Sequence, residues 1–135
     1  MKKLVLAILS LALVASAAGA ADMDASWLNR VPEQARERAN PAAKEPEAHT
    51  AGAKLFEQHC AACHGKNAEG KGRKPSLHSS EVQNATDGEL FWLLTNGNIR
   101  HGMPSWSRLP DEQRWQIVSF LKRLGSESAQ AGRGQ

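Results

Sequence analysis

The chain has 135 residues, enough for one small domain, and carries 17 Lys plus Arg against 14 Asp plus Glu, a net charge of +3. Lys2 and Lys3 fall in a leader expected to be removed, and taking those two from the 17 leaves 15 against 14, or +1. So even a balance gives no basis for nucleic-acid binding, and a partner must be met through local charge patches.

Residues 1–20 read as a secretory signal. Met1-Lys2-Lys3 is a positive start, residues 4–14 are apolar except for Ser10, and Ala18-Gly19-Ala20 is a small-residue cleavage site. The mature chain is expected to begin at Ala21, in the periplasm. The alternative is an uncleaved anchor, but a bilayer-spanning helix needs about 20 predominantly apolar residues and this run is shorter. No later stretch is apolar enough to span, so no stable membrane insertion is expected after cleavage. Residues 21–50 form a Pro/Ala/Glu-rich extension. Pro32, Pro41 and Pro46 interrupt any long helix there, which leaves one short helix over 33–39. Trp27 is expected to dock the start of the extension on the domain.

The folded domain is expected over 51–125. Ala53, Phe56 and Cys60 share one helical face, with Leu55 beside them, so a first helix spans about 52–63. Residues 65–85 are polar, basic and Gly-rich, and read as a loop. A loop that long needs a surface to wrap. Thr86-Asp87-Gly88-Glu89 fits a capping box, and a second helix runs from it to Asn96, with Gly97 as its C-terminal cap. A second loop covers 98–109. Pro110-Asp111-Glu112 starts a third helix with acids at its positive end, and Ile117, Phe120, Leu121 and Leu124 form its apolar stripe. Gly125 is expected to stop it, and 126–135 to be a flexible polar tail. No convincing strand is present, so the fold class is all-α. The apolar supply is thin, and small domains short of a core often need a metal or cross-link.

Cys60 and Cys63 are the two cysteines of the chain. A disulfide between them would close a tiny loop and contribute little. A zinc site usually has four protein ligands, and no His pair stands at zinc-finger spacing downstream. A thioredoxin-like pair belongs near a strand–helix–strand pattern, which is absent here. Cys60-Ala61-Ala62-Cys63-His64 is instead the c-type haem attachment pattern. Residues three and four apart share a helix face, so both sulfurs can reach a porphyrin edge while His64 turns under the iron. Ala61 and Ala62 are small enough to let the backbone lie close. Met103 is the one methionine of the domain, in a loop between Gly102 and Pro104 and on no periodic apolar face. It is the expected second axial ligand. His101, two residues away, is its rival; His49, His59 and His78 read as surface or outer-sphere groups.

On these residues, with Gly52, Phe56, Pro75, Leu77 and the helix 115–124, the chain resembles the class I cytochrome c family in its small bacterial form, over about 51–124. The resemblance implies a small cytochrome c fold: about three main helices, with long loops wrapped around one covalent haem c. It implies that the Pro75 carbonyl accepts a hydrogen bond from the His64 ring, that Leu77 packs on the porphyrin, and that Trp92 and Trp106 lie near it. Gly52 and Phe56 should meet Ile117 and Phe120 where the first and last helices cross. Tyrosine is absent from the chain, and no ring of lysines like that of the eukaryotic protein is evident.

With His64 and Met103 both on the iron, no site stays open for a substrate. The expected function is therefore a monomeric periplasmic one-electron carrier, not an enzyme. It would meet redox partner proteins, a donor and an acceptor, at the haem edge near Cys60 and Cys63. Two alternatives stand beside it. One is a haem enzyme or gas sensor with an open distal position. The other is a dedicated subunit of an oxidoreductase that docks through residues 22–50.

Overall fold

The computed structural model describes residues 25–134, so the expected leader, its cleavage site, Ala21 and Met23 lie outside the described residues. The architecture is all-α. In chain order it comprises a 3-10 helix Ala25–Arg30, α1 Glu33–Arg36, α2 Pro46–His59, α3 Ala61–His64, α4 Ser80–Asn84, α5 Asp87–Asn96, a 3-10 helix Ile99–His101, and α6 Asp111–Arg133. Among the described residues, extended pairing is limited to the isolated bridges Lys71–Lys74 and Asn98–Met103. No helix among them is long and apolar enough to cross a membrane.

The α2–α6 crossing is the most extensive helix contact. Gly52 makes it possible: a Cβ there would lie 1.9 Å from the Gln116 carbonyl oxygen. Phe56 fills the crossing, fully buried, with its ring 5.0 Å from that of Phe120 and Ile117 in the same core. The expected pairing of first and last helices is present. α5 begins as its sequence implies. Thr86 Oγ1 accepts from the Glu89 N–H at 3.1 Å, the Glu89 carboxylate accepts from the Thr86 N–H at 2.8 Å, and Gly97 caps the far end.

Several boundaries differ from expectation: the helix expected over 33–39 ends at Arg36, and the one expected over 52–63 is broken at Cys60. α2 starts at Pro46, not near Gly52, because proline at the first helical position begins a helix at little cost. The expected division at residue 50 thus falls inside a helix. α6 runs through Gly125 to Arg133, so residues expected to fray are helical. Gly125 is a packing glycine: a Cβ there would lie 2.2 Å from Gln83 Oε1, and the Gln83 amide bonds the carbonyls of Leu77 and Leu121. Finally, α4 interrupts the expected 65–85 loop.

Residues 25–50 share the main core. Trp27, Val31, Ala42 and Ala48 are buried in it. The Arg36 guanidinium donates to the carbonyls of Leu28 and Val31 and pairs with Glu89. Asn40 Nδ2 donates to the Trp115 carbonyl at 3.1 Å and to Ser119 Oγ at 2.9 Å.

Candidate haem site

A cavity of about 840 Å³ opens between these helices and the loops they carry. Phe56, Leu77, Leu90, Leu94, Ile117 and Leu121 give it apolar walls. Cys60, Cys63, His64 and Met103 all line it, so the structure brings the four sequence-derived site residues to one place. They arrive from separate elements. α2 ends at His59 and α3 starts at Ala61, so Cys60 sits at the joint between them. Cys63 is exposed and His64 half-buried. Met103, half-buried, is fixed by backbone pairing with Asn98: the Met103 N–H donates at 3.1 Å, and its carbonyl accepts at 2.9 Å.

The His64 ring is oriented by Pro75. Its Nδ1 lies 3.0 Å from the Pro75 carbonyl oxygen, which accepts only, so Nδ1 is the donor, and in the neutral ring that leaves the lone pair on Nε2. This is the contact implied by the resemblance, and such a bond raises ligand basicity. Burial pushes the Cys60 thiol up to about 12, with the neighbouring Cys63 adding to the effect. A thiol held protonated is neither a ready metal ligand nor a ready disulfide-exchange nucleophile. Among the described residues no cluster of His, Cys, Asp and Glu could hold a bare metal ion.

Ser79 supplies a further observation. Its Oγ is the one buried side-chain polar atom among the described residues without a hydrogen-bond partner, and Ser79 lines the cavity. An unsatisfied buried hydroxyl calls for an explanation. A porphyrin, with its broad apolar face, fits the apolar walls of this cavity. A second depression of about 420 Å³ lies elsewhere, lined mainly by polar and charged groups such as Lys44, His49 and Lys122, and lacks such walls.

The tryptophans are distributed differently from expectation. Trp106 lines the cavity and packs against the His59 ring, with centroids 5.3 Å apart. Trp92 is not among the lining residues; the Arg30 guanidinium lies over it, 5.9 Å from its centroid. Trp27 lines the cavity instead. Sequence reasoning placed Trp27 on the domain but not in the site, and only its size among small and polar neighbours marked it. His101 also lines the cavity, while His78 is exposed and touches the Asn67 carbonyl and Ser128.

Comparison with known proteins agrees with this geometry. Residues 47–121 match the family model described as cytochrome c oxidase, cbb3-type, subunit III. The chain belongs to the c-type cytochrome family. Cytochrome c6 of Bryopsis maxima is 34% identical over 74 residues, covering 52% of this chain and 84% of that protein. The cbb3-type cytochrome c oxidase subunit CcoP of Rhodobacter capsulatus is 33% identical over 94 residues, 56% of this chain; the match spans only 29% of that subunit. The crystal structure of cytochrome CL from Methylophaga aminisulfidivorans matches with a TM-score of 0.53 and 27% identity, over 67% of this chain and 69% of that one. As a c-type cytochrome the protein carries covalent haem c, and its domain is one for electron transfer.

Proposed function

We propose that this cytochrome is a periplasmic one-electron carrier, with haem held through Cys60 and Cys63 and ligated by His64 and Met103. The observation that carries this reading is the convergence of those four side chains on one apolar cavity. When bound, haem c supplies one-electron chemistry between ferrous and ferric iron. The chain does the rest. Cys60, at the joint of α2 and α3, and Cys63, within α3, would hold the porphyrin edge. Pro75 holds the His64 ring with Nε2 available. Asn98 holds the Met103 loop, and the thioether supplies a soft ligand that raises the potential. The apolar walls exclude water. With the iron held by both His64 and Met103, no site would remain for a substrate, which favours a carrier over an enzyme. Exposed Cys63 marks the edge where donor and acceptor would approach, through the small, weak interface that suits a shuttle.

The ferric spectrum tests this. The wild-type protein should show a Met-to-iron charge-transfer band, and Met103→Ala should lose it. A wild-type protein without that band would sink the closed-site carrier in favour of an open-site haem protein.

A second reading, a dedicated subunit of an oxidoreductase, is favoured by the oxidase-subunit family match and the CcoP relative. Docking through residues 22–50 is not what supports it, because Trp27, Val31 and Ala42 are buried in the chain's own core. Recovery of the native protein in a stable complex with a membrane oxidase would favour this reading over the free carrier.

A further inference from the structure

The family match begins at residue 47, yet part of the cavity wall comes from before it. Trp27 lines the cavity and is only 4% exposed. Its indole Nε1–H donates to Glu81 Oε1 at 2.8 Å, and Glu81 lines the same cavity from α4. The turn that carries Trp27 is tied down on both sides. Arg36 donates to the carbonyls of Leu28 and Val31. Arg30 donates to Asn98 Oδ1 at 2.9 Å, and Asn98 is the residue whose backbone pairs with Met103. The other acidic and basic side chains lining the cavity, apart from histidines, are Glu69, Lys71, Arg73 and Lys74, all from one short stretch. Glu81 stands apart from them, next to Val82 on α4.

A carboxylate at the wall of a largely apolar cavity acts on charge inside it more strongly than it would in water. Net charge and hydrogen bonding around a haem are two of the levers by which a protein sets its potential. We propose that Trp27 and Glu81 are positioning residues of the haem site: the indole holds the Glu81 carboxylate at the cavity wall, where its negative charge favours the ferric state. The proposal rests on the one-electron function argued above. Loss of one electron to an external oxidant leaves one more positive charge at the iron, with no bond made or broken. Glu81 stabilises that charge and so lowers the reduction potential. The electron affinity of the haem thus depends on a segment outside the family-matched region.

Mediated redox titration of the haem-loaded protein tests this, using wild type, Glu81→Gln, Trp27→Phe and the double variant. Glutamine keeps an oxygen that can accept from the indole and removes only the charge. Glu81→Gln should shift the one-electron equilibrium toward the ferrous form by roughly threefold to tenfold, where tenfold corresponds to 59 mV. Trp27→Phe keeps an aromatic ring in the wall and removes the donor. It should raise the potential by less, and add nothing in the Glu81→Gln background. A wild-type potential in Glu81→Gln overturns the proposal, whatever becomes of Trp27→Phe. So does a Trp27→Phe shift that persists undiminished in the double variant, because that is a packing effect. Failure of the carrier reading would look different: the wild-type ferric protein would lack the methionine band while the Glu81-dependent shift remained.

Discussion

Asn40 joins the N-terminal segment to α6 through its amide nitrogen and braces its own turn through the amide oxygen. Nδ2 donates to the Trp115 carbonyl and Ser119 Oγ, and Oδ1 accepts from the Ala42 N–H at 2.9 Å. The side chain is 7% exposed, so water cannot easily replace these partners. Asn40→Ala leaves the buried Ala42 N–H unsatisfied and should cost about 1–3 kcal/mol. Chemical denaturation should show a lower midpoint, while the haem spectrum stays unchanged, since Asn40 does not line the cavity. A spectral change would mean that the segment reaches the haem by more than Trp27 alone. The contrast with the proposed attachment site explains what could be read from the sequence. The roles proposed for Cys60, Cys63 and His64 rest on fixed local spacing in one short stretch, so they can be read residue by residue. Trp27 and Glu81 are 54 residues apart, and no local pattern links a lone tryptophan to a glutamate that far away.

The α2–α6 crossing carries the main structural load at the level of elements. Phe56 is 1% exposed and lines both the crossing and the cavity, so Phe56→Ala should cost about 3–5 kcal/mol. Thermal unfolding should fall steeply, with haem still attached because the thioethers are covalent. Gly52→Ala tests the same contact from the opposite direction. A methyl cannot coexist with the Gln116 carbonyl at 1.9 Å, so the helices must part, at about 1–3 kcal/mol for overpacking. Unchanged melting in both variants would break the account of this interface. The two helices are legible because their apolar residues fall at helical spacing in two runs, whereas their pairing through Gly52, Phe56, Ile117 and Phe120 is what the resemblance implies. The Thr86–Glu89 capping box was legible for the same local reason. Pro46 and Gly125 misled because each residue type has two uses. Proline breaks a helix from inside but starts one at the first turn, and glycine ends many helices but also clears space for a crossing side chain. Only the tertiary neighbour, Gln83 in the case of Gly125, decides between them.

Over the whole molecule the near-neutral charge is unevenly spread. Residues 66–74 hold Lys66, Lys71, Arg73 and Lys74 against Glu69 alone. The Lys71–Lys74 turn is closed by backbone bonds of 3.1 and 2.8 Å. Lys71 Nζ reaches the Ala62 carbonyl at 3.4 Å, beside Cys63, and Lys74 Nζ reaches the His101 carbonyl at 3.4 Å, two residues before Met103. Three of these cations, Lys71, Arg73 and Lys74, line the cavity, and the first two are exposed. The turn therefore links α3 to the Met103 loop and puts positive charge at the cavity rim. If electrons leave through that rim, an anionic acceptor is drawn to it and a cationic one repelled. Oxidation of the ferrous protein by ferricyanide should slow as salt rises, because the Debye length falls from about 30 Å at 0.01 M to about 3 Å at 1 M. A cationic cobalt(III) complex should show the opposite salt dependence. Lys71→Glu with Lys74→Glu should invert both slopes while the methionine band is retained. If the turn is only a structural link, stability will fall and the slopes will keep their sign. A ferricyanide rate indifferent to salt in the wild type would place the exit at another edge of the molecule, and would remove the reason to look for an acidic partner.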